Sequence, residues 1–161
     1  MAIVDREGFA AWVGPHLGTM AVLAARLAGR DDRDDVVQEA LTRAWQKREQ
    51  YDERRGSPRA WLLAIVADRA CRTRGRRRRR PIDLVAVPPD APVFDRDSTD
   101  LDLERAIAAL PRRMRMAINC VYFAGLSVAE TAVLMGVAPG TVKSTLSDAR
   151  AKLRTTLEEA R

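Results

Sequence analysis

The sequence predicts an all-α protein of two small helical domains joined by a flexible linker, and three observations carry that prediction. Apolar residues recur at the spacing of an amphipathic helix both before residue 81 and after residue 100. Nowhere does apolar and polar alternation run long enough between turn residues to build a sheet. Residues 81–100 read PIDLVAVPPDAPVFDRDSTD, with four prolines, five aspartates and no helical period, which is the composition of a connector. A chain of 161 residues has room for two modules of roughly 60 to 80 residues, each able to bury a core. The expected domains are therefore 1–80 and 101–161, with 81–100 as the linker.

In the first domain, Asp31 to Arg48 places Val37, Ala40, Leu41, Ala44 and Trp45 on one helical face. Acidic residues crowd its first turn, where the helix dipole favours them. Asp35, Gln38, Glu39, Thr42 and Arg43 fall on the remaining faces, a polar surface for a partner or for water. A further helix is expected from Ser57, a capping residue, with Pro58 at the first helical position, where its missing N–H is no loss. It runs through Trp61, Leu62, Ile65 and Val66 towards Cys71 and then into arginines. Arg72, Arg74 and Arg76 to Arg80 make seven of nine residues arginine. That density exceeds what solubility needs and suits phosphate oxygens, because each guanidinium offers a planar fork of donors.

The second domain contains GLSVAETAVLMGVAPGTVKSTLSDARAKLR, Gly125 to Arg154, which reads as helix, tight turn, helix. Ser127 with Glu130 three residues later forms a capping box, and Gly136 stands where the first helix needs a left-handed residue to end. Ala132, Gly136 and Val142 occupy the small, turn and core positions of a helix-turn-helix. Thr141, Lys143, Ser144, Ser147 and Asp148 then face outward, on a second helix of the kind that enters a DNA major groove.

The formal charge of +6 is unevenly spread. Residues 1–80 carry +7, residues 81–100 carry −4 and residues 101–161 carry +3, so two basic blocks flank an acidic connector. Such blocks attract polyanions, of which nucleic acid is the commonest. Two cysteines, Cys71 and Cys120, and a single histidine, His16, do not supply the ligands of a usual zinc site. No nucleophile with a base at useful spacing and no Gly-rich phosphate loop is present, so no enzymatic chemistry, metal or cofactor is expected. Met1 to Phe9 lacks the basic, apolar and small-residue order of a signal peptide. The protein is expected to be cytoplasmic, without insertion in a membrane.

These residues resemble the extracytoplasmic-function (ECF) sigma factors, and the resemblance covers both domains in order. DDVVQEALTRAW (Asp34 to Trp45) is similar to the family's helix that grips core RNA polymerase. SPRAWLLAIVADRA (Ser57 to Ala70), followed by arginines, is similar to its promoter −10 segment. AIAALPRRMRMAINCVYFAGLSVAETAVLMGVAPGTVKS (Ala106 to Ser144) is similar to the domain that reads the −35 element. The resemblance implies core RNA polymerase contacts at Asp35, Val36, Gln38, Glu39, Leu41 and Arg43, with Val37 and Trp45 kept in the domain's own core. It implies capture of an extruded −10 base near Tyr51, Arg54, Arg55, Ser57 and Arg59, with Arg72 and Arg74 on neighbouring phosphates. Trp61 joins this set as a stacking candidate, although such a tryptophan more often serves the core. For the −35 duplex it implies Thr141, Lys143, Ser144 and Ser147.

The chain departs from the family pattern at four positions. Thr145 and Asp148 stand where many members are basic, Ala138 where many have a serine cap, and Pro58 where phenylalanine is usual. The partners implied are core RNA polymerase and promoter DNA. Many members are also held inactive by an anti-sigma protein, which adds one to the candidate partners, and the free chain is expected to be monomeric. Two other readings compete. A stand-alone helix-turn-helix regulator accounts for the second domain but not for the polar 31–48 helix or the arginine run. An RNA-binding protein would use the arginines, yet the chain lacks the aromatic motifs that read single-stranded bases.

Overall fold

The computed structural model describes residues 5–79 and 98–159, which hold eight α-helices and no strand. The chain divides into two compact units, Met1–Val85 and Ala86–Arg161. Most of the segment expected to be the linker lies outside the described residues. Its last residues do not: Ser98 opens a helix, so the second unit's helical structure begins before residue 101.

The first unit opens with α1 (Arg6–Val13), capped by the Asp5 carboxylate, which accepts the Gly8 N–H at 2.8 Å. A 3-10 turn at Gly14–His16, with Pro15 inside it, leads into α2 (Leu17–Ala28). Then come α3 (Arg33–Lys47) and α4 (Pro58–Arg79). Helices α2, α3 and α4 pack pairwise, with α2 against α4 the most extensive pairing. From α2 the core takes Met20, Leu23, Ala24 and Leu27, at the i, i+3, i+4, i+7 positions of one face. From α3 it takes Val36, Ala40 and Ala44, and the two alanines let the neighbouring helices approach closely; α4 adds Leu62, Leu63, Val66, Ala67 and Ala70. The helical stretch Arg6–Ala28, 23 residues, has the length and apolar composition of a membrane span. Sequence inspection alone does not single it out. Its apolar α2 face is one wall of this core.

The second unit contains α5 (Ser98–Ala109), α6 (Arg112–Ile118), α7 (Val128–Met135) and α8 (Pro139–Glu159). Helix α8 packs on the other three, presenting Val142, Leu146 and Ala149 to a core completed by Ile107, Leu110, Ala117, Ile118 and Ala132. Arg115 is buried and donates to the Ala108 carbonyl at 2.8 Å, which ties α6 to the end of α5. After α6 the chain widens into a π turn at Asn119–Phe123, where the Ala124 N–H reaches the Asn119 carbonyl. The Asn119 side chain donates back to the Arg115 carbonyl of α6.

Candidate functional site

The helix-turn-helix is built as its sequence dictates. Ser127 Oγ accepts the Glu130 N–H at 3.1 Å while Glu130 Oε2 accepts the Ser127 N–H at 2.9 Å, a complete capping box at the start of α7. At its end Gly136 adopts φ 66°, ψ 37°, the left-handed conformation that glycine reaches without a Cβ penalty. The Val137 N–H bonds the Ala132 carbonyl and the Gly136 N–H bonds the Val133 carbonyl, the paired closure of a Schellman turn. Val142 is fully buried and Ala132 nearly so, which fixes α8 against α7. The opposite side of α8 then carries Thr141, Lys143, Ser144 and Ser147, all exposed, with Asp148 beside them. Ser144 Oγ donates to the Thr141 carbonyl at 3.0 Å, a local bond that an acceptor outside the helix replaces readily. Ala138 supplies only its carbonyl to the first turn of α8, accepting from Thr141 and Val142, and has no side chain to cap it.

In the first unit, the exposed side of α3 bears Asp35, Gln38, Glu39, Thr42 and Arg43, with Leu41 half-buried. One expectation is overturned. Val36 is 0% exposed and Val37 is only partly covered. The helix is turned by about one residue from the face that the sequence suggests, because the small Ala40 and Ala44, and not the bulky Val37 and Trp45, set its closest approach to α2 and α4. Val36 therefore has no surface to offer a partner. Glu39 also faces the end of α4, where Arg76 lies 3.9 Å from its carboxylate.

The segment between α3 and α4 is pinned at both ends. Tyr51 donates its phenol hydrogen to the Gly56 carbonyl at 3.2 Å, and Asp52 accepts the Arg54 N–H at 3.0 Å around a 3-10 turn at Glu53–Arg55. Ser57 Oγ accepts the Ala60 N–H and so caps α4. Burial, with Glu53 and Asp52 nearby, holds the Tyr51 phenol above its ordinary value, so it stays a donor at neutral pH. Arg54 and Arg55 are exposed, whereas Arg59 and Trp61 are half-buried. The arginines that follow are less free than the sequence suggests. Arg72 bonds both carboxylate oxygens of Asp68 at 3.1 Å, and Arg69 bonds Asp68 at 2.6 Å. Burial pushes the Asp68 carboxyl up, but those two guanidinium groups carry it below its ordinary value. Arg74 reaches across to the Leu27 carbonyl at 3.3 Å, covering the end of α2.

Sequence inspection also misses an aromatic cluster. Trp12 lies 5.2 Å from Tyr51 and 5.9 Å from Trp61 between ring centroids, and Tyr51 lies 5.5 Å from Trp61. Phe9 joins Trp12 to Trp45, over which Arg48 stacks at 4.1 Å. The signal in the sequence is the aromatic content itself, eight residues in all, most of them in the first unit. Among the described residues no group of His, Cys, Asp or Glu side chains is placed to hold a metal ion.

Comparison with known proteins follows the same division of the chain. The Sigma-70 region 2 family matches residues 12–80 and the Sigma-70, region 4 family matches residues 100–153. The ECF RNA polymerase sigma factor SigL of Mycobacterium tuberculosis is 34% identical over 154 residues, covering 89% of this chain and 85% of the relative. The chain belongs to the ECF RNA polymerase sigma factors. SigM of the same organism is 38% identical over 136 residues, covering 80% of this chain and 67% of SigM. RpoE of Cereibacter sphaeroides is 32% identical over 128 residues, covering 75% of this chain and 70% of that protein. Among solved structures, the sigma factor RpoE of Bartonella quintana, crystallised with the anti-sigma factor NepR, is 29% identical with a TM-score of 0.75 and covers 97% of this chain. CnrH, in complex with the cytosolic domain of CnrY, has the same fold at 24% identity and a TM-score of 0.75. As an ECF sigma factor, the protein serves promoter-specific initiation of transcription by RNA polymerase.

Proposed function

We propose that the first unit docks on core RNA polymerase through the polar face of α3 and captures an unpaired base of the melted −10 element at the segment between α3 and α4, while α8 reads the −35 duplex. The observation that carries this reading is the α8 surface. Thr141, Lys143, Ser144 and Ser147 project from a helix held rigidly by Val142 and the turn at Gly136, which is the presentation a major groove requires. Lys143 contributes phosphate attraction, and the hydroxyls contribute contacts to base edges or phosphates. On α3, Asp35, Gln38, Glu39, Leu41 and Arg43 form the polymerase contact. At the −10 strand, Arg54 and Arg55 meet phosphates, Ser57 and Arg59 border the base, and Tyr51 and Trp61 support the segment from beneath. Arg72 joins them by exchanging Asp68 for phosphate, a trade between partners of like charge that strengthens where several phosphates converge.

The protein acts in the cytoplasm as a binding subunit with no chemistry of its own, monomeric until it meets polymerase. An anti-sigma protein is a further partner, on the precedent of the RpoE sigma factor crystallised with the anti-sigma factor NepR. The test is transcription in vitro by core polymerase from a randomised promoter library, with the purified protein supplied or withheld and the start sites sequenced. Start sites that require the protein and share paired −35 and −10 elements are expected. Binding to duplex DNA without core, and no new start sites with it, would favour the stand-alone regulator.

A further inference from the structure

We infer that Trp12 is a positioning residue for −10 recognition, setting the segment between α3 and α4 in the geometry that receives the unpaired base. The inference rests on the base-capture reading above. Residues Asp52 to Arg55 are exposed, and the hydrogen bonds recorded for them are local to the segment, from Arg54 and Arg55 to Asp52. Tyr51 is the point where the segment meets the body of the unit. Its hydroxyl closes the segment on Gly56, and its ring is held in a triangle with Trp61 of α4 and Trp12 of α1.

Two sides of that triangle involve α1, and α1 has little other inward role. Its one buried residue is Val13. Phe9 and Trp12 meet aromatic rings, with Phe9 bridging Trp12 to Trp45 at the end of α3. Helix α1 is thus a brace from the end of α3 to the segment that follows it, and Trp12 is its point of contact. A side chain too short to reach Tyr51 leaves its ring packed on Trp61 alone, with the hydroxyl bond to Gly56 lying within the segment itself. The segment then remains attached through both chain ends but loses its fixed orientation, and a base contact tolerates misorientation far less than a phosphate contact does.

The experiment uses holoenzyme assembled from core polymerase and the full chain, and the probe is a sequence-randomised pool of short single-stranded DNA. The native protein should enrich a consensus. Trp12→Leu should lower the preference for that consensus over a strand altered at the selected base by about tenfold, ~1.4 kcal/mol, while binding core as tightly as the native chain does. Trp12→Phe, which keeps a ring, should recover most of the preference. An unchanged preference in Trp12→Leu overturns the inference and leaves base capture standing. So does a parallel loss of core binding in both variants, since that marks a general packing role. If the native holoenzyme enriches no consensus, base capture at this segment is wrong and the role of Trp12 falls with it.

Discussion

In the second unit the candidate contact residues stand apart from the residues that hold the fold. Thr141, Lys143 and Ser147 lie on the outer side of α8, and Val142, Leu146 and Ala149 on its inner side form the core. In the first unit the two sets overlap. Tyr51 closes its own segment, Ser57 caps α4, Arg72 pairs with Asp68, Arg74 covers the end of α2, and Glu39 faces Arg76. On the proposed roles, substitutions on α8 should report binding nearly alone, whereas most substitutions in the first unit should mix binding with stability. A helix recognising duplex DNA can be rigid on one side and free on the other. A surface proposed to hold both polymerase and a single strand within one small bundle has fewer side chains to spare.

The polar face of α3 offers the largest effect with which to break that contrast. Asp35→Lys combined with Glu39→Lys should weaken core binding by about 2–5 kcal/mol, the usual cost of leaving one member of an interfacial charge pair without its partner. The cost to folding should be smaller, the roughly 0.3–1 kcal/mol of first-turn dipole stabilisation that Asp35 gives up together with at most about 1 kcal/mol for the solvent-exposed pairing of Glu39 with Arg76, because both side chains are exposed. Titration of labelled core with each protein, alongside thermal melts, checks both figures. If the melting temperature collapses, α3 belongs with the dual-purpose residues.

Lys143→Ala should sharpen the contrast from the other side. Duplex affinity should fall for every sequence, with the slope of log K against log salt reduced by about one, while stability stays within about 0.5 kcal/mol of the native value. Fluorescence anisotropy across a salt series measures this, and an unchanged slope would remove Lys143 from the interface.

Tyr51 tests the mixed case. Its phenol is held above its ordinary value, so the folded form keeps its proton at pH values where the unfolded chain has lost it. The stabilisation is therefore complete below about pH 10 and is lost as pH rises through the folded value. Tyr51→Phe should cost about 0.5–1.5 kcal/mol at neutral pH, through the lost bond to Gly56, and should flatten the alkaline part of the stability curve. Urea denaturation between neutral and alkaline pH follows both effects.

How legible each unit was from the sequence tracks the same contrast. The helix-turn-helix could be read to the residue because its determinants are local: Ser127 with Glu130, Gly136, and Val142 six residues beyond. The start of α4 at Ser57 and Pro58 was legible for the same reason. The rotation of α3 was not, because periodicity ranks Val37 and Trp45 above alanine, and only the packing of three helices reveals that Ala40 and Ala44 occupy the centre. The engagement of Arg72 and Arg74 was hidden in a run that looked uniform, since one partner, the Leu27 carbonyl, lies 47 residues away. The Trp12 contacts with Tyr51 and Trp61 were hidden likewise, joining α1 to residues far along the chain.

The smallest predicted effect concerns a position where the second unit falls short of its own pattern. Helix α8 begins at Pro139, which has no N–H, after an alanine that gives its carbonyl to the Thr141 and Val142 N–H groups but has no side-chain oxygen to offer the Gly140 N–H of the first turn. Ala138→Ser places such an acceptor where Ser127 already serves α7 and Ser57 serves α4. Stability should rise by about 0.5–1 kcal/mol. If the separation of binding from folding on α8 is real, duplex affinity at fixed salt should not change, because Lys143, Ser144 and Ser147 keep their places. A serine that stabilises the unit and also tightens DNA binding would mean that the first turn of α8 moves when it meets the duplex, and that the two sides of this helix are coupled after all.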